Sequence, residues 1–232
     1  MPILRPRTAF VPPSLIFSPG MNRLIRHIAK ISRRLGAANT IHVLTLPQLN
    51  RALAAVWQEM SALGFANNAV DRVPVWLVSP LGLFSARTLF NSPYGFFDPS
   101  SRSGAINIPS ISLSALGDLL AARAYVSLRD VLRHEYAHAL EHHHRGLIHS
   151  SRFEDAFGSA HDDEMDVDFD PASHVSRYAA TCVGQEDFAE TFMMFVKHGG
   201  ELPPRFDTRT IRRKWRFIAD LGKTVRRNHR CW

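Results

Sequence analysis

The sequence predicts an α+β fold, a small mixed sheet packed on two helices that carry the titratable residues. Two observations point there. Residues 127–146 and 186–198 are helix-like, and each presents titratable side chains four residues apart, on one face. Short β-rich runs at 41–46, 73–79, 94–98 and 105–109 precede them and supply a sheet.

Residues 1–20 are rich in proline and expected to be irregular. Leu24, Ile28, Ile31 and Leu35 form an apolar stripe over 22–35, closed by Gly36, with Arg23, Arg26, Lys30, Arg33 and Arg34 on the other faces. Such a helix suits packing on the domain or service as a detachable basic arm. The chain thus divides into a basic N-terminal extension, 1–40, with one amphipathic helix, and a domain, 41–232, that ends in a basic amphipathic helix. Within the domain a short strand is expected at 41–46. A helix follows over 49–63, with Leu49, Leu53, Val56, Met60 and Leu63 inward and Gly64 at its end. Another strand is expected at 73–79. Residues 94–98 and 105–109 read as a hairpin with a long loop, Pro109 ending the second strand or marking it as an edge.

Residues 112–124 are expected to be helical. Ser127 and Asp130 resemble a capping box for the next helix, and Gly146 is its expected stop. Periodicity is then absent to about Ser176. This stretch contains an acidic run from Asp162 to Asp170 that only superficially resembles a calcium loop. Counted from Asp162, Val167 stands where the loop needs glycine and Ser173 where it needs glutamate, so a solvated loop is expected. A helix over 186–198 is stopped by Gly199 and Gly200. The last helix, 208–227, aligns Ile211, Trp215, Ile218, Leu221 and Val225.

The 232 residues, 45% of them hydrophobic, suffice for one sizeable folded domain. Two cysteines, Cys182 and Cys231, make no disulfide framework and fit a reducing compartment, with one optional bridge. The prolines at 12, 13 and 19 interrupt any secretory signal, and no apolar run is long enough to span a bilayer. The protein is therefore expected in the cytoplasm, or exported by a route that needs no cleaved signal. Its net charge of +7 is unevenly placed. Residues 1–36 hold seven Arg or Lys and no acid, 154–170 eight acids and no Arg or Lys, and 205–230 ten Arg or Lys and two acids. The basic ends are either solvated faces or surfaces for nucleic acid, anionic lipid or an acidic protein.

The chemistry gathers at His134-Glu135-Tyr136-Ala137-His138, an HExxH pattern. On a helix, residues four apart lie about 6 Å apart along the axis and about 40° around it. His134 and His138 thus present two imidazoles at a spacing one zinc ion can bridge, with Glu135 placed to take a proton from a water at the metal. Glu186 is the best third ligand, on a second helix where Glu190 shares its face. Two histidines and one carboxylate leave a fourth position for water, as a catalytic zinc requires. His144 competes at the spacing of HExxHxxGxxH, but Glu141 stands where that pattern needs glycine. On a continued helix His144 would lie about 9 Å beyond His138 and about 120° around. His142, His143 and His144 together read as a solvated patch or casual metal binder.

The pair HEYAHAL and YAATCVGQEDFAETF resembles the gluzincin metallopeptidases, in particular the group similar to the catalytic domain of anthrax lethal factor. The resemblance covers roughly residues 90–200 and rests on the two helices; the Phe-Asp-Pro and Ile-Asn-Ile-Pro runs look like the strands that line such a cleft. It implies a zincin-like domain with one catalytic zinc held by His134, His138 and Glu186, and Glu135 as general base. It also implies that Tyr178 stabilises the oxyanion and that Glu190 holds a ligating histidine. Tyr178 lies eight residues before Glu186, one more than in that pattern.

The implied activity is a zinc endopeptidase acting on a protein or peptide substrate, in a role compatible with a secreted effector or toxin. The strand 105–109, bordering the cleft, would pair with an extended substrate. The alternative is a non-catalytic module with a structural zinc, binding nucleic acid or an acidic protein through its basic termini. Cys182 would be an idle thiol, a site of oxidation or a cap on the metal.

Overall fold

Apolar residues at helical spacing organise the chain around two long helices that meet face to face. The computed structural model describes residues 42–67, 69–78, 95–112, 127–148, 150–158, 169–181 and 184–228. The extension 1–40, most of the helix expected over 112–124, the acidic residues 162–168, Cys182 and Cys231 lie outside the described residues.

In chain order, β1 (His42–Val43) leads into α1 (Leu46–Leu63). This helix starts three residues earlier than expected, because Gln48 Oε1 accepts the Thr45 N–H at 2.8 Å and Pro47 sits in the first turn. Gly64, at φ 92°, closes it in the left-handed conformation, its N–H turned back to Met60 and Ser61. Next come β2 (Val75–Val78), β3 (Phe96–Asp98), β4 (Ala105–Pro109) and β5 (Ile111–Ser112). β3 and β4 form the expected antiparallel hairpin, Phe97 opposite Ile106, and β2 lies parallel to β4 on its other side. The sheet order is β2-β4-β3, a small mixed sheet, while β1 pairs antiparallel with β5. Pro109 therefore ends β4 rather than marking an edge. β4 is the central strand, hydrogen-bonded on both sides, so the expected pairing of 105–109 with a substrate is ruled out. Among the described residues β2 and β3 are the two outer strands. Gly104 closes the hairpin at φ 65°, where a Cβ would come within 2.1 Å of the Phe97 ring.

Helix α2 (Leu128–His143) has the expected capping box: Ser127 accepts the Asp130 N–H, and Asp130 reaches back to Ser127 N–H. It does not run on to Gly146. His144 leaves the helix at φ −125°, with its ring drawn into the core against Asn67 at 3.2 Å. Gly146 lies instead in a short helix, α3 (Arg145–Ile148). The stretch expected to lack periodicity also holds α4 (Ser151–Phe157), capped by Ser150, whose Phe153, Ala156 and Phe157 are buried. α5 (Arg177–Thr181), α6 (Gly184–Lys197) and α7 (Arg209–Asn228) complete the order.

The core lies between these helices and one face of the sheet. Phe153 and Phe157 of α4 pack among Phe188 of α6 and Phe217 of α7 with ring centroids 5.4–5.8 Å apart, and Phe65 meets Phe192 edge-on at 4.8 Å. Charged pairs then fix how the helices sit. Arg133 of α2 is buried and donates to Glu59 of α1 at 2.9 and 3.0 Å and to Asp130 at 2.5 Å. Lys197 of α6 closes the network on Asp130 at 2.9 Å. Burial pushes the Asp130 carboxyl up, but Lys197, Ser127 and Arg133 outweigh it and hold it below the usual range. Its stabilising contribution is thus present above the ordinary aspartate range and lost as pH falls through the depressed value. On the far side of α6, Lys214 of α7 donates to Asp187 and to the Ser173 carbonyl, both at 2.5 Å.

Truncating Arg133 removes both hydrogen bonds to Glu59 and leaves the buried Asp130 with Lys197 as its one remaining cation among the described residues. Arg133→Ala is expected to lose about 3–5 kcal/mol of stability in urea denaturation of the metal-free protein. A loss below about 1 kcal/mol would mean that the network behaves as an exposed ion pair.

Candidate metal centre

Four-residue spacing on α2 sets His134 and His138 on the face that meets α6. Their rings lie edge-on with centroids 5.0 Å apart, and the two Nε2 atoms are 3.2 Å apart. Glu186, in the first turn of α6, brings Oε2 to 3.1 Å from His134 Nε2 and Oε1 to 3.5 Å from His138 Nε2. Among the described residues these three side chains form the group that could hold a metal ion, with ligand atoms within 4.8 Å of one another.

The outer ring nitrogens decide what the inner ones can do. His134 Nδ1 faces Glu190 Oε1 at 3.0 Å, and His138 Nδ1 faces Glu141 Oε2 at 2.9 Å. A carboxylate only accepts, so each Nδ1 carries the proton and each neutral imidazole turns a bare Nε2 lone pair inward. Two nitrogen lone pairs and a carboxylate then converge on one point. Acceptors that close repel one another unless a cation lies among them, so the donor set fits a metal ion.

Protonation is the competing way to satisfy it, and the electrostatics show the same demand for positive charge. Burial disfavours charge on His134, yet Glu186 and Glu190 outweigh it and raise the imidazole to about 9. His138 is likewise raised, against burial, by Glu141 and Glu186. Burial would raise Glu186, but the two histidines win and hold its carboxyl far below the usual range.

Glu135 projects beside the cluster and is buried, which raises its carboxyl despite the two histidines. The Phe97 backbone of β3 hydrogen-bonds to it. Tyr178, on α5, lies with its ring centroid 6.0 Å from that of His134. All five residues line one open cleft of about 540 Å³, walled also by Gly95, Phe96, Phe97 and Pro99 and by Arg145 and Gln185.

His144, the competing ligand, is 3% exposed and occupied with Asn67, outside the cluster. His142 and His143 reach the carbonyls of Arg102 and Ser103 at 3.3 and 3.1 Å, so they tie the β3–β4 loop to α2 rather than forming a loose patch.

Two residues went unrecognised in the sequence. Glu141 is three positions after His138 on the same helix, a legible signal read only as helix continuation. Ser176 donates to Glu190 Oε2 at 2.6 Å and caps α5 by accepting the Ala179 N–H at 3.1 Å. One hydroxyl thus joins the carboxylate behind His134 to the helix bearing Tyr178, a tertiary contact with no local signature.

No family model, curated protein or solved structure matches the chain significantly.

Neutralising either supporting carboxylate should loosen its imidazole. Glu141→Gln and Glu190→Gln are each expected to weaken divalent-metal binding about 10–100-fold in competition with a chelator. Parent-like affinity in both would show that the carboxylates do not orient the ligands.

Proposed function

We propose that the protein is a zinc-dependent endopeptidase of gluzincin type, with a zincin-like domain similar to the catalytic domain of anthrax lethal factor. The observation that carries this reading is the convergence of His134 Nε2, His138 Nε2 and a Glu186 carboxylate oxygen in an open cleft, with Glu135 alongside. Two imidazoles and one carboxylate suit zinc with one position left open, the arrangement of catalytic rather than structural sites. A structural zinc, the core of the alternative binding-module reading, is more often closed by four protein ligands, commonly cysteines.

Zinc held there would supply Lewis acidity, activating a water and polarising the peptide carbonyl. The remaining steps belong to the chain. Glu135, buried beside the cluster, takes the proton of the attacking water and returns it to the leaving amine. Tyr178, lining the same cleft with its ring 6.0 Å from that of His134, offers its phenol to the developing oxyanion. Glu190 and Glu141 keep both imidazoles in the ligating tautomer. Among the described residues no strand pairs with the outer edge of β3, whose Phe96 and Phe97 line the cleft. An extended substrate backbone would lie along β3, the role first expected of 105–109. Among the described residues no helix is long and apolar enough to cross a membrane. A secreted effector or toxin is a biological role compatible with this activity.

Cleavage of an unbiased peptide library tests the reading. The zinc-loaded parent should cleave, and Glu135→Ala should lower kcat/KM about 10²–10⁴-fold with zinc content and Tm retained. Cleavage by Glu135→Ala at the parent rate would overturn the mechanism. Tyr178→Phe should lower kcat about 10²–10³-fold with KM little changed. An unaltered kcat would make Tyr178 a packing residue only.

A further inference from the structure

Helix α7 separates its residues into two half-cylinders. Ile211, Lys214, Trp215, Ile218, Leu221 and Val225 are buried against the domain. Arg209, Arg212, Arg213, Arg216, Lys223 and Arg227 are exposed. At about 100° per residue these six cations fall within an arc of about 100°, opposite the buried stripe. From Arg209 to Arg227 the ridge runs about 27 Å at about 1.5 Å per residue.

Its charge is only partly neutralised. Arg212 pairs with Asp207, and Asp220 pairs with Lys223 at 3.0 Å and with Arg152 of α4 at 2.9 Å. These exposed pairs hold their partners weakly. Arg209, Arg213, Arg216 and Arg227 carry no ion pair to a described carboxylate, and they share an arc of only about 60°.

We propose that this ridge binds the phosphate backbone of duplex nucleic acid, without reading its sequence. Five of the six cations are arginine, whose planar fork matches phosphate oxygens in pairs. The ridge has no aromatic side chain on which an unstacked base could rest, which favours a duplex over a single strand. It has no apolar side chain either, and a protein partner would ordinarily need a desolvated anchor there. A membrane surface is disfavoured because the apolar face of α7 is already buried in the core. The ridge faces away from α6, since Lys214 reaches Asp187 from the opposite, buried side of α7. The proposal therefore holds whether or not the metal centre is catalytic.

The test uses the full chain and a short DNA duplex of arbitrary sequence, with binding followed by fluorescence anisotropy across a salt series. Arg209→Glu/Arg213→Glu/Arg216→Glu reverses three exposed ridge charges that make no ion pair to a described carboxylate, with Arg209 in the first turn where the helix dipole favours glutamate, so the fold should persist. Arg51→Glu/Arg72→Glu/Arg129→Glu reverses three exposed charges elsewhere and corrects for net charge alone. The parent should bind with affinity that falls steeply with salt, and the ridge variant should lose about three units of the log–log slope. The control variant should keep most of the slope and affinity. No binding by the parent, equal losses in both variants, or tighter binding of poly-glutamate than of the duplex would overturn the proposal. The last outcome would assign the ridge to an acidic protein.

Discussion

Everything at the centre depends on the contact between α2 and α6. Two imidazoles and a carboxylate are brought within 3.1–3.5 Å of one another, an arrangement that costs free energy until a cation enters. The surrounding structure must therefore fix it. The Arg133 network joins α1, α2 and α6 at one end, and Lys214 with Asp187 holds α6 against α7 behind Glu186. Asp187 is the residue next to Glu186, so the buried ion pair sets the rotation of the helix that presents the carboxylate. Such pairs add little net stability compared with apolar packing, but they penalise any other register.

A second layer of carboxylates turns this packing into a donor set that could hold a metal ion. Glu141 comes from the same helix as His138, whereas Glu190 comes from the opposing helix. One imidazole is thus oriented locally and the other by the tertiary contact itself. Ser176 extends that contact to α5, so the position of Tyr178 is coupled to the hydrogen bond that holds His134. The loop between β3 and β4 is attached to the same helix by His142 and His143, which places β3 beside the centre.

What could be read from the sequence followed the range of the interactions. His134 and His138 were legible because helical spacing is local, and Glu186 because it shares one face of a second helix with Glu190, whereas the place of Glu190 behind a histidine was implied only by the family resemblance. The hairpin and the buried stripe of α7 were legible for the same reason. α4 was readable in principle, since Ser150 precedes Phe153, Ala156 and Phe157 at helical spacing, but its single turn or two gives little periodicity. The order of the strands was not readable. Whether β4 is central or at an edge depends on β2 arriving parallel to it from 27 residues earlier, which no local pattern encodes. The end of α2 was misplaced for a similar reason: Gly146 is the better local stop, but burial of His144 against Asn67 overrides it.

The most direct measurement is X-ray absorption at the zinc edge of the loaded protein, paired with Glu186→Gln. Two nitrogen ligands at about 2.0–2.1 Å, oxygen at about 2.0–2.2 Å and no sulfur, with the oxygen shell altered in the variant, are the expected result. A shell containing sulfur, or one unchanged by Glu186→Gln, would contradict the two-helix centre.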